Sequence, residues 1–230
     1  MHETDVIGDW LYSEIESTTI FERSGWAVES VQRVGEKLQG VRPHKERFEV
    51  KVPWLEHFTA FTAPGKFIYV SRRLLEMCRD DEMAAFVIAH EIAHHDLGHL
   101  DIFPEWLPNL TGTAIAPLLT IFYRNLETVF YGPEKESAAD KYAVDLCMEA
   151  GYDIEKCLSF FDVLEKFALD IGDLDIVFGP DESDEELDKH ADWVTRLRIW
   201  WFKIRRGYLP IRDRRQMLIK YLKETSKGIT

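Results

Sequence analysis

Two histidines stand four residues apart in the segment HEIAH at positions 90–94, within a stretch that is otherwise apolar. The apolar residues around them recur at helical spacing, and Asp80 or Asp81 can cap the start, so the sequence predicts a helix from about residue 80 to Gly98. Residues four apart lie on the same face of a helix, one turn from each other. The prediction is therefore a pair of imidazoles packed amid core residues.

This spacing suits a metal ion, because the imidazole nitrogens of His90 and His94 can converge on one point while Glu91 lies beside them. A catalytic zinc uses three protein ligands and keeps a fourth position open for water, whose pKa the metal lowers to about 7. A neighbouring carboxylate can then take the proton of that water as it attacks a carbonyl. We therefore expect one catalytic Zn²⁺ ion, although other divalent ions also accept two histidines and a carboxylate.

The helix that carries His90 and His94 does not identify the third ligand. The extended pattern with a third histidine six residues after the second is excluded, because Leu100 stands at that position. We interpret His95 and His99 as solvated residues or as residues that contact the ligands.

A second predicted helix begins at Pro133 and ends before Gly151, and it carries Glu136 and Asp140 four residues apart. These two carboxylates share one face of the helix, and the small residues at 137–139 would let it approach the first helix closely. One carboxylate could bind the metal while the other accepts the N–H of a ligating histidine and fixes its tautomer. This helix is the best candidate for the third ligand.

Three segments of the chain together resemble the HtpX-like and CAAX-prenyl-protease-like zinc metallopeptidases, whose members share a gluzincin catalytic core. The segments are TAFTAPGKFIYVS, DDEMAAFVIAHEIAHHDLGH and EKESAADKYAVDL, and the resemblance extends over about residues 25–200. It implies that His90, His94 and Glu136 bind zinc, that Glu91 is the general base and that Asp140 supports a ligand.

The same resemblance includes a downstream histidine that is followed six residues later by arginine. His190 and Arg196 match that spacing, although Ala191 stands where the family usually has proline. His190 could donate to the oxyanion of the tetrahedral intermediate, a role worth roughly 3 kcal/mol for a well-placed donor. The alternative is that His190 caps the helix that follows it.

The resemblance also implies how a substrate binds. The strand before the turn contains Ala60 and Phe61, and Thr59 precedes them where the family commonly has asparagine. An edge strand of a protease typically binds an extended peptide by strand addition, which needs only backbone groups. We therefore expect Ala60 and Phe61 to bind a polypeptide substrate that is unfolded or extended.

The expected fold is α+β, a zincin-like core that is mostly helical with a small antiparallel sheet beside the active-site helix. Pro64-Gly65 is a turn signal between two short β-type runs, which predicts a hairpin. We expect a single domain over residues 1–230. Its parts are N-terminal helices at 1–40, a catalytic core at 46–165, an acidic loop at 170–188 and a C-terminal helical region at 189–230.

The formal net charge of −13 disfavours nucleic acid as a partner, because a phosphate backbone would be repelled. The three cysteines are widely spaced and the first residues lack the features of a signal peptide, so we expect a cytoplasmic protein. No pattern in the sequence specifies an oligomeric state. The apolar run at 114–123 is about half the length of a transmembrane helix.

Two other functions are consistent with the sequence. The chain could be a latent or non-catalytic zinc-binding protein in which the acidic loop at 170–188 blocks the cleft. It could also be a membrane-surface module, because the segments 114–123 and 193–203 combine apolar, aromatic and basic residues as interfacial helices do. The intact set of catalytic residues favours a peptidase that cleaves within polypeptides.

Overall fold

The computed structural model describes most of the chain outside two long stretches, 101–131 and 171–209. Six helices have both ends in the described part, and residues 8–9, 12–13 and 15–17 are also helical. The described residues are 8–9, 12–13, 15–17, 19–55, 58–62, 65–100, 132–170 and 210–227. The helices are α1 (Trp26–Val41), α2 (Arg72–Met77), α3 (Asp81–Asp96), α4 (Pro133–Glu149), α5 (Ile154–Asp170) and α6 (Ile211–Lys227).

Four short strands form one sheet in the order β1-β2-β4-β3. They are β1 (Phe21–Glu22), β2 (Glu49–Pro53), β3 (Ala60–Thr62) and β4 (Phe67–Val70). The chain is thus helix-rich with a small sheet, as predicted, and the hairpin of β3 and β4 is confirmed. The prediction of an antiparallel sheet needs one correction, because β2 and β4 are parallel and the sheet is mixed.

The position of β4 between β2 and β3 agrees with its burial. All four residues of this strand are apolar and buried, which is typical of a strand with neighbours on both edges. After β2 the chain skips the neighbouring strand position and forms β3 at the edge of the sheet. It then turns at Gly65, whose positive φ of 95° suits glycine, and β4 enters the gap between β2 and β3.

The two faces of the sheet pack against different cores. Ile68 and Val70 point towards the main core, which α1, α3, α4 and α5 complete. Phe67 and Tyr69 alternate with them and point to a second, smaller core that contains Ile15 and Phe61. This alternation is the period of two that a strand imposes, and it leaves β3 at the sheet edge next to α3.

Helix α3 runs through the main core and contacts α1, α4, α5 and β3. Asp80 caps it as predicted, since its Oδ1 accepts a hydrogen bond of 3.0 Å from the backbone N–H of Met83. The helix is buried on nearly all sides from Met83 to His94, and so it has no solvated face to which His90, Glu91 and His94 could turn. Their partners must come from a neighbouring helix.

Helix α4 supplies those partners. It begins at Pro133, as predicted, and its buried face carries Ala139 and Ala143, both fully buried, beside Glu136 and Asp140. Small side chains allow the backbones of two helices to approach closely. Helices α3 and α4 accordingly form the most extensive packing contact between two elements in the described part of the chain.

A buried ion pair joins α1 to the end of α3. Arg42, at the C-terminus of α1, binds both carboxylate oxygens of Asp96, with 2.7 Å between Arg42 Nε and Asp96 Oδ2. The two side chains are only 3% and 1% exposed. Tyr142 of α4 donates a hydrogen bond of 2.5 Å to the same carboxylate, so three helices meet at Asp96.

Several predictions about the chain fall on residues outside the described part. The acidic loop at 170–188 is described only at its first residue, where α5 ends, and most of the predicted C-terminal region precedes α6. The single domain over 1–230 therefore stays a prediction. No helix of the described part combines the length and the apolar character that crossing a bilayer requires.

Replacement of Arg42 by methionine tests the ion pair. We expect the free energy of unfolding to fall by about 3–5 kcal/mol, because the buried Asp96 carboxylate would lose its countercharge. The matched control is Arg33→Met, since Arg33 binds Asp81 of α3 with the same bidentate geometry but is 59% exposed. The control should lower the free energy by less than about 1 kcal/mol. Urea unfolding followed by circular dichroism gives both values, and equal losses would contradict the role of burial.

Candidate metal centre

Helices α3 and α4 bring three potential ligands together: His90, His94 and Glu136. The two Nε2 atoms of the histidines are 3.1 Å apart. Glu136 Oε2 lies 3.3 Å from His90 Nε2, and its other oxygen lies 3.6 Å from His94 Nε2. One ligand atom from each residue lies within 4.8 Å of the others. Two imidazole nitrogens and a carboxylate oxygen form a donor set suited to zinc.

Asp140 fixes the orientation of His90. Its Oδ1 lies 2.9 Å from His90 Nδ1, on the side of the ring opposite to the ligand group. Burial alone would lower the pKa of His90, but hydrogen bonds with Asp140 and Glu136 raise it to about 10. These carboxylates stabilise positive charge on the ring, and they would equally stabilise a cation at Nε2. The surroundings of His90 therefore fit a bound metal ion.

Arg214 of α6 completes this arrangement. Its guanidinium binds Asp140 through two hydrogen bonds of 2.7 and 2.8 Å, and it lies 3.8 Å from Glu136 Oε2. Burial opposes the ionisation of Asp140, but the charge of Arg214 and the bond with His90 hold the pKa of that carboxyl well below its usual range. Asp140 therefore stays ionised and places a negative charge 2.9 Å from Nδ1 of His90.

His94 has a different environment from His90. It is 2% exposed, and its Nδ1 lies 2.9 Å from Nδ1 of His99. Burial and the neighbouring rings of His90 and His99 lower the pKa of His94 to about 2, so its ring is neutral. When His94 uses Nε2 as a ligand atom, its Nδ1–H donates to His99. His99 is buried and contacts His94, one of the three candidate ligands.

Glu91 is also buried beside this cluster, at 8% exposed. Burial raises the pKa of Glu91 to about 7, although the charge of His90 opposes this rise. The nearby Glu136 adds to the increase, and Arg214 lowers it. The Glu91 carboxyl thus lies within electrostatic range of the donor group, in a poorly solvated position that suits proton exchange near neutral pH.

His95, which was predicted to be solvated or to contact the ligands, is half-buried and contacts the sheet. Its Nε2 forms a hydrogen bond with Thr62 Oγ1 of β3, and its ring lies 4.3 Å from the ring of Phe48, between centroids. Burial lowers the pKa of His95 to about 4, so the ring is neutral. His95 therefore connects α3 to the sheet.

Arg214 was missed by sequence reasoning. The C-terminal segment is rich in lysine and arginine, so charge alone does not separate Arg214 from its neighbours. A local signal was present, because Ile211, Arg214 and Leu218 share one face of an amphipathic helix that Pro210 precedes. An arginine within a buried stripe requires a buried carboxylate as partner.

The remaining predicted site residues fall into two groups. Ala60 and Phe61 belong to the edge strand β3, and the Phe61 side chain is buried against Tyr69, with 4.8 Å between ring centroids. Only the backbone of Phe61 is therefore available to a ligand. His190 and Arg196 lie outside the described residues.

The chain matches the model of a known protein family. The sequence model of peptidase family M48 matches residues 25–199, which is more than half of the chain. The matched region includes α3 and α4 and ends before α6. A search of curated proteins found no significant match.

The variant Asp140→Asn tests the support of His90. An asparagine would weaken the bond to Nδ1 and leave Arg214 without its charge partner, so we expect zinc to bind about 10–100-fold more weakly. The matched control is Asp145→Asn on the same helix, because Asp145 is exposed and accepts a hydrogen bond from Tyr221. Competition with a chromogenic chelator measures both affinities. Equal affinities of the two variants would show that Asp140 does not support the ligand.

Proposed function

Because this chain belongs to peptidase family M48, a family of zinc metallopeptidases, we propose that it is a zinc-dependent endopeptidase. His90, His94 and Glu136 are the proposed zinc ligands, and Glu91 is the proposed general base. The observation that carries this proposal is the convergence of these three donor side chains from α3 and α4, with a buried carboxylate beside them.

The donor set meets the requirements of a catalytic zinc site. Three protein ligands leave a coordination position free, whereas structural zinc sites usually use four. When bound, zinc supplies Lewis acidity towards a scissile carbonyl and lowers the pKa of water. His90 and His94 supply neutral nitrogen ligands once His90 has released its proton, and Glu136 supplies one negative charge.

Glu91 acts on protons in this proposal. Its carboxylate takes a proton from the water that attacks the scissile carbonyl and passes it to the leaving amine. Burial raises the pKa of Glu91 to about 7. A carboxyl group with this pKa can both accept and release a proton near neutral pH. A positioned general acid–base of this kind contributes about 10²–10⁴-fold to the rate.

Asp140 and Arg214 hold the ligands in place. Arg214 keeps Asp140 ionised, and the Asp140 carboxylate 2.9 Å from Nδ1 of His90 favours the proton on that nitrogen, which leaves the lone pair of Nε2 for the metal. His99 Nδ1 accepts the Nδ1–H of His94, which leaves Nε2 of His94 for the metal. These contacts restrict both rings to one tautomer and one orientation before the metal binds.

The substrate in this proposal is an extended or unfolded polypeptide. The strand β3 lies at the edge of the sheet, next to the helix that carries the histidines. Its backbone could pair with a peptide by strand addition, in which backbone groups supply the hydrogen bonds. Because the Phe61 side chain packs into the second core, Ala60 and Phe61 would contact the peptide through their backbone.

The cytoplasm is the proposed location. Cys78, Cys147 and Cys157 are free thiols, and Cys147 and Cys157 are neighbours in the core. Two neighbouring thiols remain reduced in a reducing compartment. The roles of His190 as an oxyanion donor and of Arg196 near the active site remain predictions that follow from the resemblance to the family.

The variant Glu91→Gln tests the mechanism. It should lower cleavage of casein by at least 10²–10⁴-fold while the protein keeps its zinc, because glutamine cannot accept the proton. The control is Glu82→Gln on the same helix, since Glu82 is engaged in an ion pair with Lys156 at the protein surface. Casein cleavage by zinc-loaded protein, with the zinc content measured in parallel, gives the result.

Two outcomes would contradict the proposal in different ways. Cleavage by Glu91→Gln at the rate of the wild type would remove Glu91 from the mechanism. Absence of cleavage by the zinc-loaded wild type would contradict the endopeptidase activity and favour a latent or non-catalytic zinc protein.

The variant Glu136→Gln tests the third ligand. We expect zinc affinity to fall by more than about 100-fold. This loss is larger than the loss of about 10–100-fold expected when a residue that only contacts a ligand is replaced. The matched control is Glu134→Gln, because Glu134 is exposed in the first turn of the same helix. Chelator competition measures both. Unchanged zinc affinity in Glu136→Gln would mean that the third ligand is another residue.

A further inference from the structure

A side-chain hydrogen bond joins the edge strand to the helix of the metal centre. Thr62, the last residue of β3, bonds through Oγ1 to Nε2 of His95 in α3. Thr62 is 1% exposed, so water does not compete for this bond. His95 directly follows His94, and the contact therefore lies one residue from a proposed zinc ligand.

The two sides of β3 are held differently. Along one edge, β3 pairs with β4, with Thr62 opposite Ile68 and Ala60 opposite Val70. These backbone bonds fix the strand within the sheet. They do not fix the sheet relative to α3, because apolar packing between a strand and a helix is not directional. The bond between Thr62 and His95 adds a directional contact between these two elements.

His95 is itself held firmly, which makes it a suitable reference point. Its ring packs against Phe48 of the chain leading into β2. The next residue, Asp96, is bound by Arg42 and by Tyr142, so the last turn of α3 is tied to α1 and α4. Thr62 is therefore anchored to a part of α3 whose position relative to the ligands is fixed.

We propose that the hydrogen bond between Thr62 and His95 sets the position of the peptide-binding strand relative to the metal centre. Thr62 and His95 are positioning residues, and neither contacts the reacting atoms. This inference rests on the proposed function, because it requires that a peptide pairs with β3. A peptide paired with β3 moves with the strand. The position of β3 therefore determines the distance from the scissile carbonyl of the peptide to the zinc ligands.

The effect should appear in turnover, because the rate depends steeply on the placement of the reacting groups. A misplacement of about 1 Å can lower the rate on the order of 10²-fold. In Thr62→Val the methyl group replaces the hydroxyl at almost the same volume, so packing is kept while the bond is lost. We expect kcat for casein to fall at least about tenfold, with zinc content unchanged.

Two further variants separate positioning from stability. Thr62→Ser keeps the hydroxyl and should retain kcat within about twofold of the wild type. Thr225→Val serves as the control, because it removes a hydroxyl that bonds to Tyr221 O in α6, away from β3. It should leave kcat unchanged. A bond with a merely structural role would lower the melting temperature in Thr62→Val and leave kcat of the folded protein unchanged.

A double variant tests whether the two side chains act together. His95→Phe keeps an aromatic ring against Phe48 and removes the hydrogen bond, so kcat should fall as in Thr62→Val. The combined variant should lose no more than either single variant, since both remove the same bond.

The outcomes distinguish this inference from the proposed function. If the wild type cleaves casein and Thr62→Val has the same kcat, or if Thr62→Ser is as slow as Thr62→Val, the positioning role is overturned while the endopeptidase stands. If the zinc-loaded wild type does not cleave, the proposed function fails and this inference fails with it.

Discussion

The ion pair between Arg214 and Asp140 is the interaction on which the candidate metal centre depends. Three carboxylates and two imidazoles are buried between α3 and α4, and buried charge is costly unless it is paired. Arg214 supplies the permanent positive charge in this region. It keeps Asp140 ionised, and Asp140 orients His90. A helix near the end of the chain thus stabilises a site whose ligands come from two earlier helices.

A second polar cluster holds the same two helices at another point. Arg42, Asp96 and Tyr142 connect α1, α3 and α4 two residues beyond His94. Ala139 and Ala143 of α4 are fully buried, and their small side chains allow close packing of α3 and α4. The two polar clusters and the close packing of α3 against α4 restrict both sliding and rotation of these helices. This restriction supports a donor set whose ligand atoms lie within 4.8 Å of one another.

The sheet contributes to the site through its edge. β4 is buried on both faces, and β3 is left outermost, beside the helix that carries the histidines. Phe61 faces the second core, whereas Thr62 faces α3 and bonds to His95. The strand is therefore attached to both cores and presents its backbone at the sheet edge. This arrangement joins peptide binding and the metal centre in the proposed function.

The sequence by itself determined the features that depend on neighbouring residues. These are the helix around His90 and His94, its cap at Asp80, the shared face of Glu136 and Asp140, and the β3–β4 hairpin, because caps, turns and periodicity act within a few residues. Only the tertiary structure decided which distant groups meet. Arg214 contacts Asp140 across 74 positions, His95 bonds to Thr62 across 33, and β2 pairs with β4 in parallel. Contacts at such separations arise from the packing of whole elements, and no local pattern in one chain specifies them.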